Sequence, residues 1–253
     1  MFPLKDDIPT RRFPYLTVGL IVANVVMFFF FQGHFLESAG EIEQNSIEYG
    51  AIPYEITHPD EGCVRSGAQL VCGGDASGQP STWLTLLTSM FMHGGLLHLG
   101  GNMLFLWIFG NNIEDSMGPL RFIAFYLLGG VAALAAQTAI DPSAAVPTIG
   151  ASGAVAAVLG GYALLYPRAR VVTLLFIVIF FTIFELPALL VLGGWFVLQA
   201  LYGASELATP VGSGGGVAYF AHIGGFLFGL LLIKLFANDV HEDYERAHRA
   251  PVY

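Results

Sequence analysis

The sequence predicts an all-α polytopic membrane protein with six transmembrane helices. Of its 253 residues, 55% are hydrophobic and 11% are charged, and the mean hydropathy is +0.66. These values are typical of a chain that lies largely in lipid. A span needs about 20 apolar residues, with a range of roughly 17 to 25. Six stretches fit: Tyr15–Phe31, Leu97–Ile113, Phe122–Ile140, Ile149–Tyr166, Leu186–Tyr202 and Val217–Phe236.

The first stretch follows Arg11 and Arg12 and therefore resembles a secretory signal peptide at first sight. It is long and aromatic, however, and no small-residue cleavage site closes it. We interpret Tyr15–Phe31 as a retained membrane anchor.

The basic residues predict the orientation of the spans, because Lys and Arg of short loops stay on the cytoplasmic side. With six spans and a cytoplasmic N-terminus, Arg65 alone of the ten falls outside. The predicted organisation is a cytoplasmic segment 1–14, a membrane domain 15–236 with an outer loop 32–96, and a cytoplasmic tail 237–253. The nine inner basic residues are Lys5, Arg11, Arg12, Arg121, Arg168, Arg170, Lys234, Arg246 and Arg249.

The apolar run from Val171 to Tyr202 is too long for one untilted span at about 1.5 Å per residue. Two helices are one interpretation, but a seventh span would place Lys234 outside. Pro187 marks a break, since proline lacks a backbone donor. We therefore expect Val171–Phe184 to be an interfacial or re-entrant lead-in to the fifth span.

The outer loop carries most of the formal net charge of −9. A nucleic-acid-binding protein needs a basic surface, and the outer side has none. Cys63 and Cys72 lie in the same loop, where a disulfide is favoured over a metal pair. The acidic residues of the loop are Glu37, Glu41, Glu43, Glu48, Glu55, Asp60, Glu61 and Asp75.

Polar side chains in lipid are costly and usually face a protein or water-filled interior. In the predicted topology Ser152 and His222 lie near the outer starts of the fourth and sixth spans, within roughly 10 Å of the outer end of the apolar core. A serine hydroxyl becomes a nucleophile when a nearby base takes its proton. His98 and Asn102 share a helical face near Gly150, where side-chain and backbone donors suit an oxyanion.

Each of these residues also has a purely structural interpretation. Ser152 is small enough to let helices approach closely, and His222 and Asn102 are also explained as buried hydrogen-bonded residues. Gly225 and Gly229 have the small-xxx-small spacing of packed membrane helices. The agreement in depth of independent positions favours the catalytic interpretation.

Four motifs resemble the rhomboid family of intramembrane serine proteases. The resemblance covers about residues 83–236, and the spacing of the polar residues within it is highly specific. The motifs are HGGLLHLGGN (93–102), FGNNIEDSMGPLRFIAFYLLGG (109–130), GASG (150–153) and AHIGGFLFG (221–229).

The resemblance implies a six-helix rhomboid-like bundle with a catalytic dyad of Ser152 and His222. It implies that His98, Asn102 and Gly150 stabilise the oxyanion, and that Gly153 belongs to the cavity region. His93 is expected in the outer loop near water. Glu114, Gly118 and Arg121 are expected to form an ionic turn at the inner face. One departure is Ala156, where some relatives carry an aromatic residue that stacks on the histidine.

The predicted function is cleavage of single-pass transmembrane proteins near the outer face of the cell membrane. We expect a water-filled cavity between the acidic loop and the outer helix starts. The fifth span, with Gly193, Gly194 and Trp195, is either a gate for substrate entry from lipid or a lipid-facing span with a packing glycine pair. No metal or cofactor motif occurs.

Two other classes of function remain open at this stage. One is a catalytically inactive relative that binds or escorts membrane proteins, which the retained Ser152 and His222 argue against. The other is a transporter that uses Glu185, Gln199 and Gln137 as a polar path, but these residues are scattered in depth.

Overall fold

The computed structural model describes residues 2–33, 39–67, 69–75, 79–177, 180–208 and 216–238. The helices are α1 (Tyr15–Val26, continued by a π-helical segment Met27–Phe31), α2 (Ala39–Tyr49), α3 (Pro53–Thr57), α4 (Thr82–Thr88, with a 3-10 turn Ser89–Phe91), α5 (Leu96–Phe105, with a π-helical segment Leu106–Gly110), α6 (Asn111–Met117), α7 (Pro119–Ile140), α8 (Ser152–Leu165), α9 (Ala188–Leu207) and α10 (Tyr219–Phe236). The strands are β1 (Phe2–Asp6), β2 (Glu61–Ser66), β3 (Gln69–Asp75), β4 (Arg170–Ile177) and β5 (Phe180–Pro187).

The fold is mostly helical and suits a membrane protein. In the described part of the chain, α7, α9 and α10 are long and apolar enough to cross a membrane. Shorter apolar helices cover Tyr15–Phe31, Thr82–Phe91 and Ser152–Leu165. All six predicted stretches coincide with helices to within a few residues, but the count of six spans stays a prediction.

Two small sheets make the all-α prediction wrong in part. Val171–Phe184 was expected as an interfacial or re-entrant lead-in, but its described residues, 171–177 and 180–184, lie in the antiparallel strand pair β4–β5. Strand β1, from the predicted cytoplasmic segment, pairs with β4, giving the order β1-β4-β5. The region is rich in Val, Ile, Phe and Thr, which favour strands, and the ladder satisfies its backbone groups.

One end of the bundle collects the N-terminal strand, the α6–α7 turn and the end of α10. Asp7 donates its N–H to the Arg170 carbonyl at 3.0 Å and accepts the Arg170 N–H at 2.8 Å. Asn238 donates its N–H to the Ser116 carbonyl at 2.8 Å. These segments therefore lie on the same side of the helices, as the predicted topology requires of its inner segments.

The other end is formed by the loop after α1 and by residues 141–151. Ala51 and Thr148 exchange backbone hydrogen bonds of 3.1 and 2.8 Å, and Tyr54 donates its N–H to the Ala144 carbonyl at 3.1 Å. Within this loop β2 and β3 form a hairpin in which a disulfide joins Cys63 and Cys72. The folded loop therefore holds the segment that leads into α8.

Helices α8 and α10 pack backbone to backbone at the centre of the molecule. A Cβ on Gly225 would overlap the carbonyl oxygen of Gly153, and one on Gly229 would overlap that of Ala157. Nearly all of α8 is buried. The glycines at these positions act as the small residues that let membrane helices approach closely.

Candidate active site

Ser152 is the first residue of α8, and the chain before it sets where that helix begins. Gly150 has a φ of +126°, a region that side chains rarely allow, so the helix cannot extend further back. The first N–H groups of a helix have no acceptor within it. Ser152 thus combines a half-buried side chain with the positive end of the α8 dipole.

The contact between α8 and α10 brings the starts of these two helices together. Gly153 follows Ser152 directly, and the position of a Cβ on Gly153 lies 3.9 Å from the carbonyl oxygen of Ala221, the neighbour of His222. Ser152 and His222 therefore lie at the same level on adjacent helices. No hydrogen bond of the described residues joins their side chains. Catalytic hydrogen bonds often tighten only when substrate binds.

The imidazole of His222 is held by α9. Its Nδ1 lies 2.8 Å from Oε1 of Gln199, and both side chains are 9% exposed. An amide oxygen carries no hydrogen, so Nδ1 must be the donor. The Trp195 ring lies 5.7 Å from the His222 ring, centroid to centroid. The Nε2 lone pair is left as the basic site of the ring.

His98, on α5, lies next to the start of α8. Its Nδ1 accepts the Gly94 N–H at 3.3 Å, so a neutral ring carries its proton on Nε2. A Cβ built on Gly150 would lie 2.9 Å from that Nε2 and 3.5 Å from Oγ of Ser152. The Nε2–H donor and the serine hydroxyl therefore border the same small space.

Asn102 lies one turn further along α5 and is 8% exposed. Its Nδ2 donates to the His98 carbonyl at 3.0 Å. An amide nitrogen carries two hydrogens, so one donor remains beyond this bond.

Two expectations for the oxyanion region differ from the structure. Gly150 donates its own N–H to the Ser89 carbonyl at 2.8 Å, so that donor is already engaged. His93 is fully buried and lies away from water, with its ring 5.1 Å from that of His98. Its backbone is hydrogen-bonded on both sides by the amide of Gln32, and its Nε2 accepts the Ala151 N–H at 3.5 Å, so His93 is a buried residue that supports the start of α8.

The expected ionic turn of Glu114 and Arg121 is also not formed. Glu114 accepts the N–H groups of Leu16 and Thr17 at 3.0 and 2.7 Å, so its buried carboxylate caps the start of α1. Arg121 reaches the carbonyl of Phe236 at 3.3 Å instead, at the end of α10. The reason is geometric, because each of the two side chains faces a different helix end. Gly118 does form the turn, with a φ of +78°.

The glycine pair of α9 makes no packing contact. A Cβ on Gly193 or Gly194 would meet nothing within 4 Å among the described residues. Of the three long apolar helices α9 is also the least buried. The alternative of a packing glycine pair therefore loses its support.

The structure also has an outer cavity of about 290 Å³, but none of the predicted catalytic residues lines it. The expected water-filled cavity therefore does not correspond to this one. The described residues hold no group of three or more His, Cys, Asp or Glu suited to a metal. The cavity is lined by Glu55, Pro59, Asp60, Glu61, Gln79, Pro80, Ser81, Thr82 and Trp83.

Sequence reasoning assigned no site role to Gln199, which it considered only as part of a transport path. The position of Gln199 in the sequence could have indicated such a role. Gln199 is an uncharged polar residue in an apolar helix, four residues after Trp195 and therefore on the same face.

Comparison with known proteins finds a match to the rhomboid domain over residues 80–239. The chain is 30% identical over 178 residues to "Rhomboid protein 1, mitochondrial" of Saccharomyces cerevisiae, covering 66% of this chain and 46% of the relative. It is 40% identical over 84 residues to "Rhomboid protease GluP" of Bacillus subtilis, covering 33% and 16%. It is 31% identical over 147 residues to "Presenilin-associated rhomboid-like protein, mitochondrial" of Homo sapiens, covering 57% and 36%. The chain thus spans less than half the length of each of these relatives.

Proposed function

The chain belongs to the rhomboid family, and from that premise we propose that it is an intramembrane serine endopeptidase. Its substrates are single-pass transmembrane proteins, cut near the outer face of the membrane. Both termini are cytoplasmic in this proposal, and the membrane is the cell membrane. No cofactor takes part.

The observation that carries the proposal is the meeting of three helix starts at one end of the bundle. Ser152 begins α8, His222 lies in the first turn of α10, and His98 lies in the first turn of α5. The close approach of α8 and α10 supports the pairing of the serine with the histidine. A nucleophile, a base and an oxyanion donor are thus available within one small region.

The reaction follows from the roles of these atoms. Ser152 Oγ attacks the scissile carbonyl carbon while His222 Nε2 takes the hydroxyl proton. The oxyanion of the tetrahedral intermediate accepts hydrogen bonds from His98 Nε2–H, from Asn102 and from the first N–H groups of α8, which have no acceptor within the helix. The C–N bond then breaks as His222 gives its proton to the leaving amine.

A water molecule completes the cycle. It attacks the acyl ester on Ser152, His222 takes the water proton, and the proton returns to Oγ as the acid leaves. The half-buried position of Ser152 at a helix start, close to the outer loop segment, suits access of both water and a lipid-embedded substrate.

The test uses the purified full chain and a fluorogenic single-pass membrane substrate. Ser152→Ala and His222→Ala should each abolish cleavage, and the double variant should be no worse, because residues of one catalytic unit act non-additively. Asn102→Ala removes one donor and should lower kcat by roughly 10²–10³-fold. Ser143→Ala, in the loop before α8, is the matched serine control and should cut at the wild-type rate.

Labelling with a fluorophosphonate separates the protease from an inactive relative and from a transporter. The wild type should label, and Ser152→Ala should not. Cleavage by purified Ser152→Ala at the wild-type rate, with contaminating proteases excluded, would show that the proposed function is wrong.

A further inference from the structure

Among the described residues, the only side-chain hydrogen bond to the proposed catalytic base comes from α9, a helix that carries no other part of the proposed machinery. Gln199 Oε1 lies 2.8 Å from His222 Nδ1, and the Trp195 ring lies 5.7 Å from the imidazole. Trp195 and Gln199 are four residues apart on α9, so one helix face presents both to the histidine.

The bond to Gln199 selects the imidazole tautomer that catalysis needs. A neutral imidazole has one protonated nitrogen and one basic nitrogen. An acceptor at Nδ1 keeps the proton there and leaves Nε2 free to take the proton of Ser152. Without that acceptor the tautomer protonated on Nε2 gains population, and it cannot act as the base.

In the part of the chain that the structure describes, no other side chain is hydrogen-bonded to the His222 ring. Ala156, one turn after Ser152, is fully buried and has only a methyl side chain. In Ser-His-Asp enzymes a buried carboxylate holds the histidine. Here the described hydrogen bonds give the ring nitrogen an uncharged amide instead.

We propose that Gln199 is the positioning residue of the catalytic base, with Trp195 packing against the ring to hold its plane. This inference rests on the proposed protease function. It adds that α9, the least buried of the long apolar helices, must be seated on α10 for the base to be correctly oriented. Gln199 itself touches no reacting atom.

Three substitutions separate positioning from a purely structural role. Gln199→Leu has a similar size but removes the acceptor. Gln199→Glu keeps an acceptor oxygen at the same reach, and Gln199→Asn keeps the amide but withdraws it by one methylene. If Gln199 only filled space in an apolar environment, Leu would be tolerated best and Glu worst. A positioning role predicts the opposite order for catalysis.

For Gln199→Leu we expect kcat to fall about 10²- to 10⁴-fold with KM unchanged; the upper end matches the loss of roughly 10⁴ that a wrong histidine tautomer causes in a Ser-His-Asp enzyme. Gln199→Glu should retain at least about a tenth of the wild-type kcat, and Gln199→Asn should fall between them. Val197→Leu, on the exposed side of α9, is the control and should match the wild type in rate and melting temperature.

The inference is overturned if Gln199→Leu keeps kcat within about threefold of the wild type, or if Glu is the more damaging change. It is also overturned if kcat falls only in parallel with the melting temperature across the three variants. None of these three results would change the Ser152-dependent cleavage by the wild type, so the proposed function would stand. If cleavage by the wild type did not depend on Ser152, both the proposed function and the role of Gln199 would be wrong.

Discussion

At the scale of single residues, Gly150 shows that a missing side chain shapes the site. Its φ of +126° and the nearby ring of His98 leave no room for a Cβ, while its N–H is tied to Ser89. The GASG motif pointed to Ser152, but it gave no sign that Gly150 leaves space for the ring of His98. That role depends on a ring from another helix.

Gly150→Ala should therefore damage both folding and catalysis. Backbone strain of this kind costs on the order of 1–3 kcal/mol of unfolding free energy, and displacement of His98 should lower kcat by about 10²-fold. Rate assays and thermal unfolding in detergent measure the two effects. Gly100→Ala on α5, where a Cβ meets open space, is the control. Equal rates for both variants would contradict the assigned role.

Asp6, in β1, is a second residue whose buried environment is known only from the tertiary structure. Its Oδ2 accepts hydrogen bonds from Asn112 Nδ2 at 2.5 Å and from the Tyr162 hydroxyl at 2.6 Å. Burial raises the pKa of Asp6 to about 6, from 3.8. A carboxyl with a higher pKa in the folded chain binds its proton more tightly there, so deprotonation reduces the stability of the fold.

We expect the Asp6 contribution to stability to decrease as the pH rises from about 4 to about 6, and to stay constant above that. Asp6→Asn keeps an oxygen acceptor without the charge and should remove this component. Melting temperatures between pH 4 and pH 7.5 measure it. Asp60→Asn, exposed in the outer loop, should keep the wild-type profile. An unchanged profile in Asp6→Asn would contradict the assignment.

At the scale of elements, the contact between α8 and α10 decides how Ser152 and His222, the proposed dyad, lie relative to each other. The glycines of AHIGGFLFG were predicted as packing residues, and the structure places Gly225 and Gly229 directly against carbonyls of α8. The small-xxx-small spacing was the signal. The same reasoning applied to the pair Gly193 and Gly194 on α9 fails, because no neighbour approaches them.

Gly225→Ala should push α10 away from α8. Overpacking of this kind costs about 1–3 kcal/mol of unfolding free energy, and separation of His222 from Ser152 should reduce kcat by more than the loss of folded protein explains. Gly193→Ala is the matched control and should be neutral or slightly stabilising, since alanine favours a helix over glycine. A normal kcat in folded Gly225→Ala would show that the α8–α10 spacing does not control the dyad.

At the scale of the whole molecule, the chain has two distinct ends. One holds β1, β4, β5 and the end of α10, and the other holds the disulfide-bearing loop and the starts of α5, α8 and α10. The predicted six-span topology places the first end in the cytoplasm. That assignment rests on the basic residues and remains a prediction.

Single cysteines in a Cys63→Ser, Cys72→Ser background test the orientation. Ser143→Cys, before α8, should react with a membrane-impermeant thiol reagent in intact cells. Arg168→Cys, after α8, should react only after permeabilisation, because α8 separates the two positions. Both residues are exposed. Labelling of Arg168→Cys from outside would contradict cytoplasmic termini.

The sequence by itself determined the features that depend on local chemistry and periodicity. Apolar stretches located the helices to within a few residues, because the hydrophobic requirement of a span is read along the chain. The same sequence reading selected Ser152, His222, His98 and Asn102 as candidate site residues, since polar groups in apolar helices are conspicuous; their catalytic roles stay predictions.

Only the tertiary structure decided which residues meet across helices and strands. The pairing of β1 with β4 joins segments far apart in the chain, and no local sequence pattern predicts it. Glu114 turned out to cap α1, and Gln199 turned out to hold His222, because both contacts depend on how helices are placed side by side. Contacts between distant segments are set by the packing of the whole bundle, which a linear pattern does not encode.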